Sequence, residues 1–328
     1  MTASVIVATF NRARLLDECL HHLACQRFAV NDEVIVVDNG SADDTADVVA
    51  RYVPSFPVQL RYLYEPQPGK SRALTLALSV ATGDFIAFTD DDVNVDAEWL
   101  SALREALADP ARESVDDVAL VGGPIAPRWE VGAPRWLRLP GERYGRLAAP
   151  IALLNYGPAP CDLGPRTLLG ANMAVRRKAL DQVGGFATHL GKLRGTQLSG
   201  EDHDLCQRIQ AAGFRAVYTP AARVTHFVPA HRMRVIYFLD WFFWSGITNA
   251  LIDEHRTQPS RSMFGVPGYL VRRFAAGVGR SIAALTRGHL DQAVDSASDA
   301  AFAVGYAARC WGLVPIDSPT EARTEDAA

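Results

Sequence analysis

At 328 residues, 48% hydrophobic and 21% charged, the chain has the composition of an ordinary globular protein with a large core. A formal net charge of −4 and a pI near 6.1 give no electrostatic reason to expect nucleic acid as a partner. Five scattered cysteines (Cys19, Cys25, Cys161, Cys206, Cys310) hold no Cys-x-x-Cys pair for zinc or redox chemistry and fit a reducing cytosol, and the first residues lack the pattern of a signal peptide.

Taken in order, residues 4–9 (SVIVAT) read as a buried strand, Asn11 and Arg12 as a turn, and 15–26 as an amphipathic helix. A second strand, 33–38 (EVIVVD), ends in the turn Asp38-Asn39-Gly40-Ser41. There Ser41 and Asp44 are spaced as a capping box for a helix over 43–51. Residues 59–64 alternate like a strand, and 70–81 (KSRALTLALSVA) carry helical spacing. The apolar run 85–89 fits a strand buried on both faces, and Asp96 is placed to cap a helix over 96–107. Residues 118–121 form a further strand leading into Gly122-Gly123-Pro124. This βαβαβαβαβ order predicts an α/β fold, a mostly parallel central sheet flanked by helices.

The usual phosphate loops are absent. No G-x-G-x-x-G follows the first strand and no G-x-x-x-x-G-K-[ST] occurs, so dinucleotide and P-loop chemistry lose their support. The strand 85–89 instead ends in three adjacent carboxylates, Asp90, Asp91 and Asp92. In an open α/β sheet ligands sit outside the carboxyl ends of the strands, where such acids can hold Mg2+ or Mn2+ against a phosphate. Aspartate is also common in turns, but three in succession after a buried strand favour the metal.

The proline-, glycine- and arginine-rich stretch 128–146 reads as a long excursion, either functional or a solvated basic surface. Residues 168–175 resume as a strand, 177–183 as a short helix closed by Gly184-Gly185, and 188–199 as a polar loop with Lys192 and Arg194 able to close over a substrate. Glu201 and Asp202 open a helix running to 212. Acids there suit the helix dipole, yet a second carboxylate pair also supplies a base separate from a metal site. Residues 215–219 and 223–227 read as short strands, the second carrying His226, a candidate additional metal ligand.

The run 231–256 is about long enough to span a bilayer, but Asp240 lies inside it, and a helix buried against the preceding domain or lying at an interface fits better. Helices are expected over 268–287 and 291–311, where arginines punctuate apolar runs. That pattern fits either a peripheral membrane face or a small bundle. Domains follow as 1–230 (halves 1–125 and 126–230), a helical extension 231–316, and a disordered acidic tail 317–328.

Six pieces in order, VIVATFNR, VVDNGSADDT, GKSRALTLAL, FTDDDV, LLGANMAVRRKALDQVGGF and GEDHDLCQRI, make residues 1–230 resemble a family 2 glycosyltransferase with the GT-A fold. The resemblance implies inverting transfer of a sugar from a nucleotide diphosphate donor, UDP- or GDP-linked, to an acceptor hydroxyl on a carbohydrate, lipid-linked or small molecule. It implies that Thr9 and Asp38 contact the nucleoside base, that Lys70 and Arg72 approach base or phosphate, and that Asp90 faces the ribose and sugar. Asp92 would coordinate Mn2+ or Mg2+ with His226 near it, and Asp202 would be the catalytic base. The family's D-x-D reads here only as Asp90-Asp91-Asp92, which leaves Asp91 able to share the charge. Beyond residue 230 the resemblance supports no specific acceptor. A sugar-1-phosphate nucleotidyltransferase would need a glycine-rich basic loop after the first strand, where ATFNRARLL stands. A receiver or phosphatase would carry its aspartate after an earlier strand, and a non-catalytic sugar-binding protein would tolerate loss of either acidic site.

Overall fold

The computed structural model describes residues 1–108, 118–137, 139, 143–192, 195–254, 262–263 and 265–314. Its centre is built by strands apolar on both faces. In β1 (Ala3–Thr9) Val5, Ile6 and Val7 are fully buried, as are Val34 to Val37 in β2 (Glu33–Asp38). Helix α1 (Ala13–Ala24) joins them and buries Leu16, Leu20 and Leu23 at helical spacing. Then come α2 (Thr45–Tyr52), β3 (Gln59–Tyr64), α3 (Lys70–Val80), β4 (Phe85–Asp90), the short β5 (Val93–Val95), α4 (Trp99–Ala108), β6 (Val118–Gly122) and β7 (Ile125–Trp129). The second half adds β8 (Cys161–Asp162), β9 (Asn172–Arg176), α5 (Arg177–Val183), α6 (Glu201–Ala211), β10 (Arg215–Tyr218) and β11 (Val224–Val228).

The main sheet runs β3-β2-β1-β4-β9-β6-β10-β8. Neighbours β3, β2, β1 and β4 are parallel, whereas β9 lies antiparallel between β4 and β6. The chain moves outward from β1 to β3 and then returns to place β4 on the other side of β1. The strand order therefore reverses between β1 and β4, and a crevice opens above their carboxyl ends. A small sheet, β5-β11-β7, covers one side, and its register sets His226 opposite Val93, beside Asp92.

The capping box over Ser41 and Asp44 does not form. Ser41 Oγ accepts the Asn11 N–H at 2.9 Å, and Asp43 instead accepts the hydroxyl of Thr45, so α2 starts at Thr45. Helix α4 begins at Trp99 rather than at Asp96, because Gln26 reaches across from the end of α1 and accepts the Leu100 N–H at 3.1 Å. The strand expected over 168–175 is shortened to β9. Residues before it turn, with the Asn172 N–H donating to the Leu169 carbonyl at 2.9 Å, and the turn carries Gly170 toward α6.

Three helices follow β11: α7 (Val235–Glu254) and, after the short hairpin of β12 (Ser262–Met263) and β13 (Val266–Pro267), α8 (Gly268–Thr286) and α9 (Leu290–Cys310). Helix α7 is long and apolar enough to cross a membrane by length and composition. Here Phe238 sits edge-on to Trp136 at 4.9 Å, and glycines let α7 and α9 touch backbone to backbone. Arg138, Arg194 and the expected tail from 317 lie outside the described residues.

Candidate active site

A cavity of about 930 Å³, near the upper end for small-molecule sites, occupies the crevice above β1 and β4. The ends of both strands reach it, because register places Asp90 opposite Ala8 and next to Thr9. Beyond β4 the chain turns sharply, and the Phe227 N–H holds the Asp92 carbonyl at 2.9 Å, so both further aspartates face the crevice.

The three carboxylates are not equivalent. Asp90 is clasped by the Lys70 ammonium at 2.7 Å; burial pushes this carboxyl up, but Lys70 brings it below the usual carboxylate range. Asp91 turns back toward β1, accepting the Thr9 hydroxyl and an Arg12 N–H, each at 2.8 Å. Burial, reinforced by Asp92 and opposed by Arg12, raises it to about 6. Asp92 accepts the same Arg12 nitrogen at 2.8 Å through one oxygen. Burial works against its charge, yet His226 and then Arg12 and Arg232 hold it well below the ordinary value. Its other oxygen, Oδ1, stands 3.4 Å from His226 Nε2; Asp92 Oδ1 and His226 Nδ1 are both buried without a hydrogen-bond partner.

Opposite this cluster, α6 presents Glu201 and Asp202. The Gly170 N–H donates to Asp202 Oδ2 at 2.8 Å, while Asp202 Oδ1 is buried with no partner. Burial raises the Asp202 carboxyl, against Lys70 and the Gly170 amide. Glu201 is raised to about 7 by burial and then by Asp202, with Lys70 acting in the other direction. Lys70 thus stands between the two acidic groups, 2.7 Å from Asp90 and 4.0 Å from Glu201. The polar loop before α6 is pinned to the start of α3, since Ser71 donates its hydroxyl to the Leu190 carbonyl at 2.7 Å and the Lys70 N–H reaches Lys192 O at 3.2 Å.

The structure brings Thr9, Lys70, Asp90, Asp91, Asp92, Asp202 and His226 to one cavity. Asp38 and Arg72 do not line it. Asp38 sits at the end of β2 with one oxygen accepting the Ser41 N–H and the other the Tyr62 hydroxyl, each at 2.7 Å, and Arg72 bonds Gln67 at the surface. Reading the sequence missed Arg12 as the bridge between Asp91 and Asp92, although its place directly after β1 was a signal. It also missed Arg232 and the α7 side chains Tyr237, Trp241, Ser245 and Thr248, which line the far wall and carry no local mark.

Family models agree with this site. One described as Glycosyl transferase family 2 matches residues 4–159, and one described as Glycosyl transferase family group 2 matches residues 85–293. The chain belongs to glycosyltransferase family 2. Among similar proteins, this glycosyltransferase is 26% identical over 256 residues to a glucosyl-dolichyl phosphate glucuronosyltransferase of Haloferax volcanii, covering 77% of this chain and 78% of that one. It is 29% identical over 263 residues to the succinoglycan biosynthesis protein ExoM of Rhizobium meliloti, covering 79% and 78%. A solved mannosyltransferase from Pyrobaculum calidifontis, in complex with GDP-mannose and Mn2+, superposes with a TM-score of 0.61 at 21% identity, covering 94% of this chain and 87% of that one. That likeness shows the fold, GT-A.

A divalent cation fits the residues present. Asp92 Oδ1 and His226 Nε2 are too far apart for a good hydrogen bond, and 3.4 Å suits two ligands each about 2.1 Å from one ion. Among the described residues no three His, Cys, Asp or Glu side chains gather to hold a metal alone. Mg2+ and Mn2+ sites of one or two protein ligands completed by substrate phosphates are nevertheless ordinary.

Proposed function

We propose that this glycosyltransferase moves a sugar from a nucleoside diphosphate donor to an acceptor hydroxyl by single displacement, with Asp202 as base and the aspartate cluster serving the donor. The observation that carries the reading is the Asp202 carboxylate, one oxygen fixed by Gly170 and the other buried and unpartnered in the cavity that also holds Asp92. A carboxylate held this way is ready to accept one proton from an acceptor hydroxyl as it attacks the anomeric carbon. The electron pair of the breaking sugar–oxygen bond leaves with the diphosphate. A divalent cation held by Asp92 and His226 would neutralise charge on that leaving group. Lys70 keeps Asp90 ionised, and Thr9 with Arg12 anchors Asp91, so the donor side is organised before substrate arrives. Calorimetric titration of UDP and GDP, first with Mn2+ and then with EDTA, tests this. Affinity for one of them is expected to fall when the cation is removed and to fall again in Asp92→Asn; equal affinity throughout would refute the assignment.

The C-terminal helices support contact with an anionic membrane surface. Val271, Phe274, Val278, Ile282 and Leu285 form a stripe on α8 at helical spacing, 36–58% exposed, while Leu270, Gly277 and Ala284 are buried on the opposite side. Residues 268–290 contain four arginines and no acid, in a chain whose net charge is −4. Arg272 and Arg287 make no ion pair among the described residues. That charge favours anionic lipid and opposes pairing with a second copy of the same helix. Vesicles containing phosphatidylserine should carry the full chain upward on flotation, and Phe274→Ser with Ile282→Ser should abolish this. Flotation unchanged by the double substitution would exclude the stripe.

A further inference from the structure

Along α7, Tyr237, Trp241, Ser245, Thr248, Asn249 and Ile252 line the cavity. At 3.6 residues per turn they share about a third of the helix circumference, while Gly246 and Ala250 turn to α9. The stripe stands on the base's side of the cavity. A Cβ on Gly200 would lie 2.6 Å from Thr248 Cγ2, so α7 touches the chain two residues before Asp202. Thr9, Lys70 and Asp90 reach the cavity from other elements, β1, α3 and β4. The Trp241 ring is braced edge-on by the buried Phe242, 5.0 Å away. Among the described residues the Tyr237 hydroxyl, the Trp241 indole N–H, the Ser245 hydroxyl and the Asn249 amide oxygen have no hydrogen-bond partner, although the Asn249 amide N–H donates to the Ser245 carbonyl at 2.8 Å.

We propose that α7 is the wall that receives the acceptor, and that the acceptor is a glycoside, one pyranose ring lying against the Trp241 indole with its hydroxyls meeting Ser245 and Asn249. The inference rests on the transfer reading above and adds the class of molecule that takes the sugar. A pyranose offers C–H groups on its ring faces and hydroxyls around its rim. The negative face of an indole attracts the C–H groups, and a ring already braced in place loses little freedom when the sugar arrives. The rim needs donors and acceptors together. The open groups on α7 are of both kinds, since an indole N–H only donates, an amide oxygen only accepts and a hydroxyl does either. An alcohol without further hydroxyls would displace water from these groups and leave them unsatisfied. A phosphate or carboxylate would call for a cation, and the stripe carries none. Helical spacing sets Ser245 one turn beyond Trp241 and Asn249 one turn beyond Ser245, so one ligand can meet all three.

The test uses the full chain with Mn2+ and the donor that carries its preferred nucleotide. The probes are the p-nitrophenyl glycosides of glucose, galactose and mannose, with cyclohexylmethanol as a ring alcohol lacking the other hydroxyls. Transfer to at least one glycoside and none to cyclohexylmethanol is expected. Trp241→Ala should raise the KM for that glycoside about ten- to a hundred-fold, the scale of losing an aromatic anchor, with the Kd for UDP or GDP within about threefold of wild type. Trp241→Phe restores a flat ring and should recover most of the loss. Ser245→Ala should raise the same KM about three- to tenfold and decides the matter if Trp241→Ala does not fold. A glycoside KM within twofold of wild type in these variants overturns the proposal, and so does a nucleotide Kd that rises as much as the KM, because Trp241 would then serve the donor. Transfer to cyclohexylmethanol as efficient as to the glycosides overturns it too. A wild-type chain that binds UDP or GDP in Mn2+ but transfers to none of the glycosides refutes the acceptor class alone, whereas one that binds neither nucleotide defeats the transfer reading itself.

Discussion

The wall of the cavity built by α7 depends on two glycines, and adding one methyl group tests that dependence. A Cβ on Gly305 of α9 would lie 1.8 Å from the Phe243 carbonyl oxygen of α7, and one on Gly246 of α7 would lie 2.1 Å from the Phe302 carbonyl oxygen of α9. Both obstacles are backbone, which cannot rotate away. Since real Cβ contacts essentially never fall below 3.0 Å, Gly305→Ala must part the helices at their crossing by more than an ångström. Overpacking of this kind costs about 1–3 kcal/mol, and contact with backbone places it toward the upper end. For a domain of this size the melting temperature should fall on the order of 5 °C. The displaced face carries Tyr237, Trp241 and Ser245 into the cavity, so turnover should fall several-fold as well. Gly279→Ala on α8 is the control, since its Cβ would meet nothing within 4 Å, and it should stabilise by about 0.5–1 kcal/mol. Thermal melts of the two variants beside wild type decide the matter. A Gly305→Ala protein melting within about 1 °C of wild type would refute the close approach and the argument built on it.

Other expectations are equally direct. A Cβ at Gly170 would sit 2.6 Å from Asp202 Oδ1, the end of a movable side chain, so Gly170→Ala should leave the melting temperature near wild type. Turnover should drop tenfold or more, on the order expected when a base is misplaced. Glu201, raised in the folded state to about 7 from an ordinary value of 4.5, binds its proton more tightly folded than unfolded. Its contribution is therefore complete below about pH 4.5 and lost as pH rises through 7. Glu201→Gln should accordingly gain on the order of 1–3 kcal/mol relative to wild type between pH 5 and pH 8, read from urea unfolding at both; a pH-independent difference would contradict the burial argument. His226→Ala should weaken Mn2+ binding, followed by electron paramagnetic resonance of the free ion, at least tenfold, and unchanged binding would remove it as a ligand.

What the sequence displayed was local. A run apolar on both faces that stops at Asp90 announces a buried strand and its carboxyl end, and the helix over Arg177–Val183 is closed by the glycines that follow it. Glu201 and Asp202 stand at the start of a helix whose period is plain. The partners of these groups were hidden because they come from far along the chain. Arg12 meets Asp91 across 79 positions, and Gly170 meets Asp202 across 32. Asp38 looked available at the end of β2, but Tyr62 of the neighbouring strand holds it, a contact fixed by register. Helix α7 shows no single apolar stripe, its few polar residues being scattered among apolar ones, so periodicity gave its existence without saying which face would meet α9 and which the cavity.

The central claim is that the two acidic groups have separate work, Asp202 with the acceptor and Asp92 with the donor. Asp202→Asn keeps the shape of the side chain and removes its basicity. With a donor identified by binding, nucleotide affinity in Mn2+ and the rate of sugar transfer should be measured together on this variant. The account predicts affinity within about threefold of wild type and transfer lowered by roughly two to four orders of magnitude. Near-full transfer by Asp202→Asn, or a loss of nucleotide affinity as large as the loss of rate, would contradict it.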